Sequence, residues 1–307
     1  MRIVVTGGAG FIGSHVVDML MAWGHEVVVL DNLSTGTEAN IKYHIGNPRF
    51  AFEKIDLVFD KLNHCFEGAD EVWHLAGSCD VRMGESDTCR DLYNNVLATH
   101  NVLEAMRLNK VKRMVFTSTG AVYGDGSQYY STEDDVLRPI SLYAASKVAC
   151  EALIAAYSHT FGIDAWIYRL GNVVGPRSSH GVIFDFIKRL MDNPNELVVL
   201  GDGMQTKTYV HVHECVGAMA MGLRTEEGGH LHIFNVGTKD TVSVTRIAAL
   251  VAEAMGVNPS IVYTGGSRGW KGDVPYMALS SEKLDWHGMD SEAAVKRAIS
   301  DMYNNLQ

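Results

Sequence analysis

The chain has 307 residues, of which 47% are hydrophobic and 20% are charged, so it can bury a large core in one or two domains. Its formal net charge of −10 disfavours binding to nucleic acid or to anionic membranes through bulk charge. The 5 cysteines are scattered without a disulfide or zinc-ligand pattern, and no apolar run is long enough to span a membrane. These features predict a cytoplasmic protein without a metal site.

The first predicted unit is a strand, a glycine-rich turn and a helix. The apolar run Ile3–Val5 predicts a buried parallel strand, and an amphipathic helix begins at Phe11. Between them, Gly7 allows a tight turn, Gly10 leaves room for a pyrophosphate and Gly13 permits close packing of helix and strand. The free backbone N–H groups at the start of the helix would then face the phosphates of a dinucleotide.

A second strand, Glu26–Leu30, ends at an acidic residue, Asp31. A carboxylate in this position can bind the ribose hydroxyls of the adenosine. It would repel a 2′-phosphate, so the sequence favours NAD over NADP.

Strands and helices then alternate. The predicted strands are Phe50–Ile55, Glu71–Leu75, Arg113–Ser118 and Ala165–Leu170, and the predicted helices are Leu92–Arg107 and Tyr143–Phe161. This alternation predicts an α/β fold with a Rossmann-type doubly wound parallel sheet. After Asn172 the pattern loosens, which indicates a smaller interleaved C-terminal substrate lobe. We therefore expect a dinucleotide-binding domain at 1–170, with 209–236 returning to it, and a substrate lobe made of 171–208 and 237–307.

A Tyr-x-x-x-Lys pair carries the predicted chemistry. Tyr143 and Lys147 are four residues apart, so they lie on one face of a helix. The unperturbed pKa of a phenol is about 10, but a cation at ~4 Å in an effective dielectric of ~20 contributes about 4 kcal/mol, or roughly three pKa units. Lys147, helped by a positive nicotinamide ring, could thus make Tyr143 a base for a sugar hydroxyl. Thr119 could bind that hydroxyl and relay the proton.

Together these motifs resemble the extended short-chain dehydrogenase/reductase family, and most of all its nucleotide-sugar epimerases. The matching segments are Thr6–Gly13, Asp31–Ser34, His74–Gly77, Asn95, Ser118–Gly124, Tyr143–Lys147, Arg169–Arg177 and Gly201–Gln205. Family members commonly form homodimers by pairing two helices of each subunit, here about Leu92–Arg107 and Tyr143–Phe161.

The resemblance also implies binding residues. Those expected to line NAD are Gly7, Gly10, Phe11, Ile12, Gly13, Asp31, Asn32, Ser34, Thr35, Gly36, Asp56, Leu57, Leu75, Ala76, Gly77, Asn95, Ser118, Tyr143, Lys147 and Leu170. Those expected to bind the sugar nucleotide are Thr119, Tyr143, Asn172, Val182, Gln205, Lys207, Arg268 and Asp273. Among these, Asn172 and Arg268 would bind the diphosphate, and Asp273 the uridine ribose.

The residues after Ser118-Thr119 distinguish branches of the family. The related dehydratases carry an Asp-Glu pair there, whereas this chain has Gly120 and Ala121, which can neither donate nor remove a proton. The sequence therefore favours epimerisation of a UDP-hexose (UDP-glucose or UDP-galactose) at C4, through a 4-keto intermediate with tightly bound NAD. The alternatives are a UDP-glucuronate or UDP-N-acetylhexosamine 4-epimerase and, less favoured, a nucleotide-sugar decarboxylase or dehydratase or a non-catalytic dinucleotide-binding protein.

Three positions leave the identity of the sugar undecided. Lys207 stands where the family usually has an arginine, so the bidentate fork on phosphate is lost. Arg177 could pair with the carboxylate of a uronic acid, although we favour a structural brace. Met277 lies near the position where some relatives have a bulky ring, and a flexible methionine would leave room for an N-acetyl group.

Two His-x-His pairs could place imidazoles on one strand face. They are His211 with His213 and His230 with His232. No further ligand is evident at a suitable spacing, so we interpret both pairs as structural.

Overall fold

The computed structural model describes residues 1–125, 130–224 and 228–306. The chain forms two compact units. The first unit consists of Met1–Thr119, Leu142–Arg169 and Met219–Phe234, and the second unit consists of Gly120–Ser141, Leu170–Ala218 and Asn235–Gln307.

The strands are β1 (Arg2–Thr6), β2 (Glu26–Asp31), β3 (Phe50–Lys54), β4 (Glu71–His74), β5 (Arg113–Thr119), β6 (Asp164–Leu170), β7 (Asn172–Val174), β8 (Glu196–Val199), β9 (Thr206–Lys207), β10 (Tyr209–His211), β11 (Leu231–Val236), β12 (Val242–Ser243), β13 (Ser260–Tyr263) and β14 (Tyr276–Met277). The helices are α1 (Phe11–Ala22), α2 (Ala98–Asn109), α3 (Leu142–Phe161), α4 (Val182–Asp192), α5 (Val212–Gly222), α6 (Val244–Met255) and α7 (Ser291–Leu306).

The main sheet has seven strands in the order β11-β6-β5-β4-β1-β2-β3. The pairs β1–β2, β2–β3, β1–β4 and β4–β5 are parallel. The chain moves outward from β1 through β2 to β3, then crosses back to β4 on the other side of β1. Ligands of such sheets bind outside the carboxyl ends of the strands where the order reverses, here after Thr6 and His74. The predicted Rossmann-type fold is confirmed.

These strands are continuous apolar runs because both faces of the sheet are buried. Ile3, Val4 and Val5 in β1 are at most 1% exposed, since a parallel sheet is covered on both faces. One core cluster joins Val4 and other strand residues to α2 and α3, for example through Ile154. This packing holds the strand ends, and hence the predicted site, in a rigid frame.

The observed elements differ from prediction in three places. The predicted helix Leu92–Arg107 is a π-helical turn, Leu92–Leu97, followed by α2. His211 ends β10 and His213 lies in α5, so this pair does not share a strand face. Only His232 of the second pair lies in β11.

The segment Gly120–Ser141 belongs to the second unit, although the predicted first domain was continuous to residue 170. After Thr119 the chain leaves the sheet, and Ser131 forms backbone hydrogen bonds with Ala278 and Ser280. The local sequence pattern does not predict these long-range hydrogen bonds.

The second unit holds short sheets and three of the long helices. Its sheets are β10–β7, β12-β9-β14 and β13–β8. Its core cluster includes Ile187 of α4, Val251 of α6 and Ile299 of α7. Among the helices of the described ranges, none combines the length and the apolar character that crossing a membrane would require.

Candidate active site

The glycine loop after β1 has two positions, Gly7 and Gly13, at which a side chain would clash with backbone atoms. Gly7 has φ +69°, and a Cβ there would lie 2.6 Å from the Ala76 nitrogen. A Cβ on Gly13 would lie 2.1 Å from the Gly7 carbonyl oxygen. Gly10 caps α1 without a side-chain hydrogen bond, so it does not occupy the N–H groups of the first turn, where Phe11 and Ile12 lie. The loop is therefore a backbone cradle of the kind that binds phosphate.

Asp31, at the end of β2, is 8% exposed and supports this loop directly. Its Oδ2 accepts a hydrogen bond from the Ala9 N–H at 3.0 Å, and its Oδ1 accepts one from the Leu33 N–H at 2.8 Å. Burial raises the pKa of Asp31, and these two N–H groups oppose that rise. The predicted ribose ligand thus also fixes the shape of the glycine loop.

The predicted cofactor residues that follow β2 and β3 lie beside the same loop. A Cβ on Gly36 would lie 2.8 Å from the Ala9 carbonyl carbon, so the segment containing Ser34 and Thr35 passes close to it. Asn32 Nδ2 donates to Asp56 Oδ2 at 2.9 Å. Leu57 follows Asp56 and is buried.

The turn after β4 packs against Gly7 of the glycine loop. Leu75, Ala76 and Gly77 follow β4 directly, and a Cβ on Gly77 would lie 2.6 Å from Asn95 Oδ1. Asn95 is 2% exposed; its Oδ1 accepts from the Ser78 N–H at 2.8 Å and its Nδ2 donates to Ser146 Oγ at 2.8 Å. The polar atoms of Asn95 are therefore engaged within the protein, and this side chain positions the turn against α3.

The reversal point of the sheet contains a histidine that sequence reasoning did not select. His74 Nδ1 lies 2.7 Å from Thr6 Oγ1, and its Nε2 lies 3.0 Å from Thr99 Oγ1. Burial lowers the pKa of His74 to about 3, so the imidazole is neutral and bridges β1 to α2.

The predicted catalytic side chains meet at the carboxyl end of β5. Lys147 is 5% exposed, and its Nζ donates to the Thr117 carbonyl oxygen at 3.0 Å. The same nitrogen lies 4.7 Å from the centre of the Phe116 ring. One turn earlier in α3, the half-buried Tyr143 forms a side-chain hydrogen bond with Thr119, the last residue of β5. The structure therefore brings Thr119, Tyr143 and Lys147 together.

Burial is the largest cause of the pKa shifts of Tyr143 and Lys147. Burial raises the pKa of Tyr143, and the hydrogen bond to Thr119 opposes this rise only in part. Burial also lowers the pKa of Lys147. In the protein without its cofactor, desolvation therefore disfavours the phenolate, whereas the predicted acidic phenol also depends on a positive nicotinamide ring.

Ser118 has a structural partner. Its Oγ donates to Glu151 Oε1 at 2.5 Å, and Arg169 Nη2 binds Glu151 Oε2 at 2.8 Å. All three residues are buried. The Ser118 hydroxyl, predicted to line the cofactor, is thus directed to a buried ion pair that ties β5 and β6 to α3. Leu170, the final predicted cofactor residue, ends β6.

A buried acid near the catalytic pair was missed. Asp91 is 2% exposed and precedes the π-helical turn. Burial raises its pKa, whereas Ser78, Arg90 and Lys147 act in the opposite direction. Its charge in turn raises the pKa of Tyr143. The only sequence signal was its position one helical turn before Asn95.

Three of the predicted substrate residues, Lys207, Arg268 and Asp273, gather around one turn of the second unit. Lys207 Nζ lies 2.6 Å from Asp273 Oδ1, and Asp273 Oδ2 accepts the Gly269 N–H at 3.0 Å. Arg268 donates to the Asp273 carbonyl oxygen and pairs with Asp125.

Buried polar atoms in the same unit lack protein partners. Gln205 is 3% exposed and donates through Nε2 to the Leu200 carbonyl oxygen at 3.1 Å. Its Oε1, together with Asn172 Nδ2 and Trp270 Nε1, is buried and has no hydrogen-bond partner within the described ranges. Such atoms are costly unless a ligand or water satisfies them. Val182 begins α4 and is half-buried.

Gly120, which stands where the dehydratases have an aspartate, is closely surrounded by other side chains. A Cβ at this position would lie 2.8 Å from Met277 Sδ and 3.0 Å from Leu279 Cδ1. An aspartate could not fit there unless these side chains moved. Met277, predicted to leave room for an N-acetyl group, fills this space beside Gly120.

Comparisons with known proteins identify the family of the chain. The model of the NAD dependent epimerase/dehydratase family matches residues 3–237. The chain is 34% identical to a putative UDP-glucose 4-epimerase of Methanocaldococcus jannaschii over 99% of both chains. It is 36% identical to a UDP-glucose 4-epimerase of Mycolicibacterium smegmatis over 83% of both chains.

Solved structures give the same result. A UDP-galactose 4-epimerase has a TM-score of 0.90 at 40% identity, covering 100% of both chains. A UDP-glucuronic acid 4-epimerase from Bacillus cereus, in complex with UDP-glucuronic acid and NAD, has a TM-score of 0.91 at 26% identity and the same coverage. The backbone cradle after β1, with Asp31 behind it, fits a dinucleotide. The chain therefore belongs to the NAD-dependent epimerase/dehydratase family, whose cofactor is NAD.

Proposed function

We propose that the protein is a UDP-hexose 4-epimerase that interconverts UDP-glucose and UDP-galactose through a 4-keto intermediate while NAD stays bound. The observation that carries this proposal is the meeting of Thr119, Tyr143 and Lys147 at one strand end, where Gly120 supplies no acid for dehydration. The relatives named UDP-glucose 4-epimerase support the choice of sugar.

The first unit would hold the cofactor. The first turn of α1 would bind the pyrophosphate, and Asp31 has a second lone pair on each oxygen for the ribose hydroxyls. When bound, NAD would accept a hydride from C4 of the sugar and, after the 4-keto sugar has turned over, return it to the opposite face of the same carbon.

Tyr143 would carry the proton. As a phenolate it removes the proton of the C4 hydroxyl, and as a phenol it donates that proton back to the carbonyl oxygen. Thr119 holds the phenol oxygen by its hydrogen bond, and Lys147 supplies a fixed positive charge from the next turn of α3. Because the same group serves both directions, the two epimers interconvert without net oxidation.

The second unit would hold the nucleotide. Asn172 and Gln205 each offer a buried atom with no hydrogen-bond partner among the residues that the structure describes, and Arg268 offers a guanidinium. Arg268 is paired with Asp125, so a diphosphate would compete with this exposed carboxylate. The Lys207 charge is already compensated by Asp273, which disfavours Lys207 as a direct diphosphate ligand.

A UDP-glucuronate 4-epimerase is the second candidate. The Bacillus cereus enzyme with UDP-glucuronic acid has a TM-score of 0.91 with this chain. Arg177, which could pair with a uronate, has φ +67° just after β7 and is therefore held in a specific backbone conformation. Decarboxylases with 33% identity also occur among the relatives, but release of CO₂ would separate them from an epimerase.

A panel of UDP-sugars tests the proposal. The purified protein should convert UDP-glucose to UDP-galactose, resolved by chromatography, without accumulation of NADH in the absorbance spectrum. Y143F should abolish turnover and retain NAD. Y157F is a matched control, because Tyr157 lies in the same helix but donates to Glu104. Turnover by Y143F, or conversion of UDP-glucuronate alone, would contradict the proposal.

We also propose a homodimer formed through α2 and α3, which pack on each other in the first unit. Large apolar side chains are exposed in α2, in α3 and in the π-helical turn before α2, including Leu108, Phe161, Leu92 and Tyr93. Light scattering coupled to size-exclusion chromatography should give twice the chain mass. L108E should shift the protein toward monomer, whereas a monomeric wild-type protein would refute this arrangement.

A further inference from the structure

Three side chains with ligand-forming atoms converge at the outer edge of the main sheet. Glu53 lies in the edge strand β3, and His64 and Cys65 lie in the 3-10 helix Asn63–Phe66. Within the described ranges, their ligand atoms all lie within 4.8 Å of one another. We propose that Glu53, His64 and Cys65 form a binding site for a zinc ion.

The distances define one triangle made of three single atoms. Cys65 Sγ lies 3.4 Å from Glu53 Oε2 and 3.4 Å from His64 Nε2, and these two atoms lie 3.3 Å apart. In a tetrahedral zinc site with Zn–S of about 2.3 Å and Zn–N or Zn–O of about 2.0–2.2 Å, neighbouring ligand atoms are roughly 3.3–3.6 Å apart. The triangle therefore has the size of one face of a zinc tetrahedron.

Hydrogen bonds alone cannot account for all three short contacts between these atoms. At neutral pH the thiol supplies one hydrogen, the imidazole Nε2 supplies at most one, and the carboxylate supplies none. With one hydrogen for each bond, at most two of the three contacts can be made, so one edge joins two atoms without a hydrogen between them. A cation at the centre of the site interacts favourably with all three atoms at once.

The donor set and its surroundings suit zinc. A thiolate, an imidazole and a carboxylate are ligand types that zinc accepts together, whereas calcium and magnesium prefer oxygen alone. Cys65 is 1% exposed and belongs to the core cluster, while the Glu53 and His64 side chains are 38% and 61% exposed. The inner ligand is thus rigid, and the outer face allows the ion to enter and a water to complete the tetrahedron.

Binding would be linked to proton release, because zinc binds a thiolate and the Cys65 thiol must lose its proton to become a ligand. The ion would join β3 to the segment that leads into β4. It would thereby close the loop containing Asp56 and Leu57, without contact with Tyr143.

Cobalt titration of metal-stripped protein tests the site. Co²⁺ should bind one per chain and give a thiolate-to-cobalt charge-transfer band, which Zn²⁺ should abolish by displacement. C65S should remove the band, and H64A, at an exposed position, should weaken binding at least tenfold with the fold intact by circular dichroism. C89S is the matched control, because Cys89 is exposed and outside the triangle. No band in the folded wild-type protein, or a band retained in C65S, would overturn the proposal.

Discussion

Replacing Gly13 by alanine gives a direct test of the glycine loop. The added Cβ would lie 2.1 Å from the Gly7 carbonyl oxygen, 2.8 Å from the Gly7 carbonyl carbon and 3.0 Å from Gly8 Cα. All three are backbone atoms, so no side-chain rotation can relieve the contact. The start of α1 must separate from the loop by roughly 1 Å to reach ordinary van der Waals contact.

The size of that displacement predicts how much affinity for NAD is lost. A hydrogen bond of about 2.9 Å that lengthens by roughly 1 Å is lost. Two such bonds from the first turn of α1 to phosphate, at about 1.5–3 kcal/mol each, amount to about 3–6 kcal/mol. The affinity for NAD should therefore fall at least 100-fold. Overpacking should also destabilise the fold by about 1–3 kcal/mol.

Calorimetric titration with NAD measures the affinity, and urea unfolding measures the stability. Gly217 provides the control: it is exposed in α5, and a Cβ there would meet nothing within 4 Å. G217A should bind NAD as the wild type does and be equally stable or up to about 1 kcal/mol more stable, because alanine favours a helix over glycine. If G13A binds NAD within threefold of the wild type, the cradle is not the phosphate site.

Three further substitutions probe charges that the structure places near the two functional regions. E151Q should destabilise the protein by about 3–5 kcal/mol in urea unfolding, since it leaves a buried arginine without its carboxylate; a loss below 1 kcal/mol would contradict a tight pair. D91N removes a negative charge that raises the pKa of Tyr143, so the rise of kcat with pH should move to lower pH; an unchanged profile would show that Asp91 does not act on the base. D125N frees Arg268 from an exposed pair worth at most about 1 kcal/mol, so KM for the UDP-sugar should fall up to about fivefold at constant kcat. A higher KM would argue against Arg268 as a diphosphate ligand.

Local sequence determined the glycine loop and the spacing of the proposed catalytic pair. The turn between β1 and α1 depends on residues within a few positions of one another, so Gly7, Gly10 and Gly13 could be assigned directly. Tyr143 and Lys147 share a helix face because they are one turn apart. The alternation of strands and helices likewise predicts a parallel sheet, whose strand ends must meet at one edge.

Only the tertiary structure decided the environment of each group. The Tyr143 pKa rises because distant elements bury it, which helix spacing cannot reveal. The Ser118 hydroxyl turns to Glu151, 33 positions away, and the triangle of Glu53, His64 and Cys65 includes a pair of residues 12 positions apart. The burial of a group and its contacts with distant residues depend on how the whole chain packs. The periodicity of the sequence predicts only which residues close together in the chain share a helix or strand face.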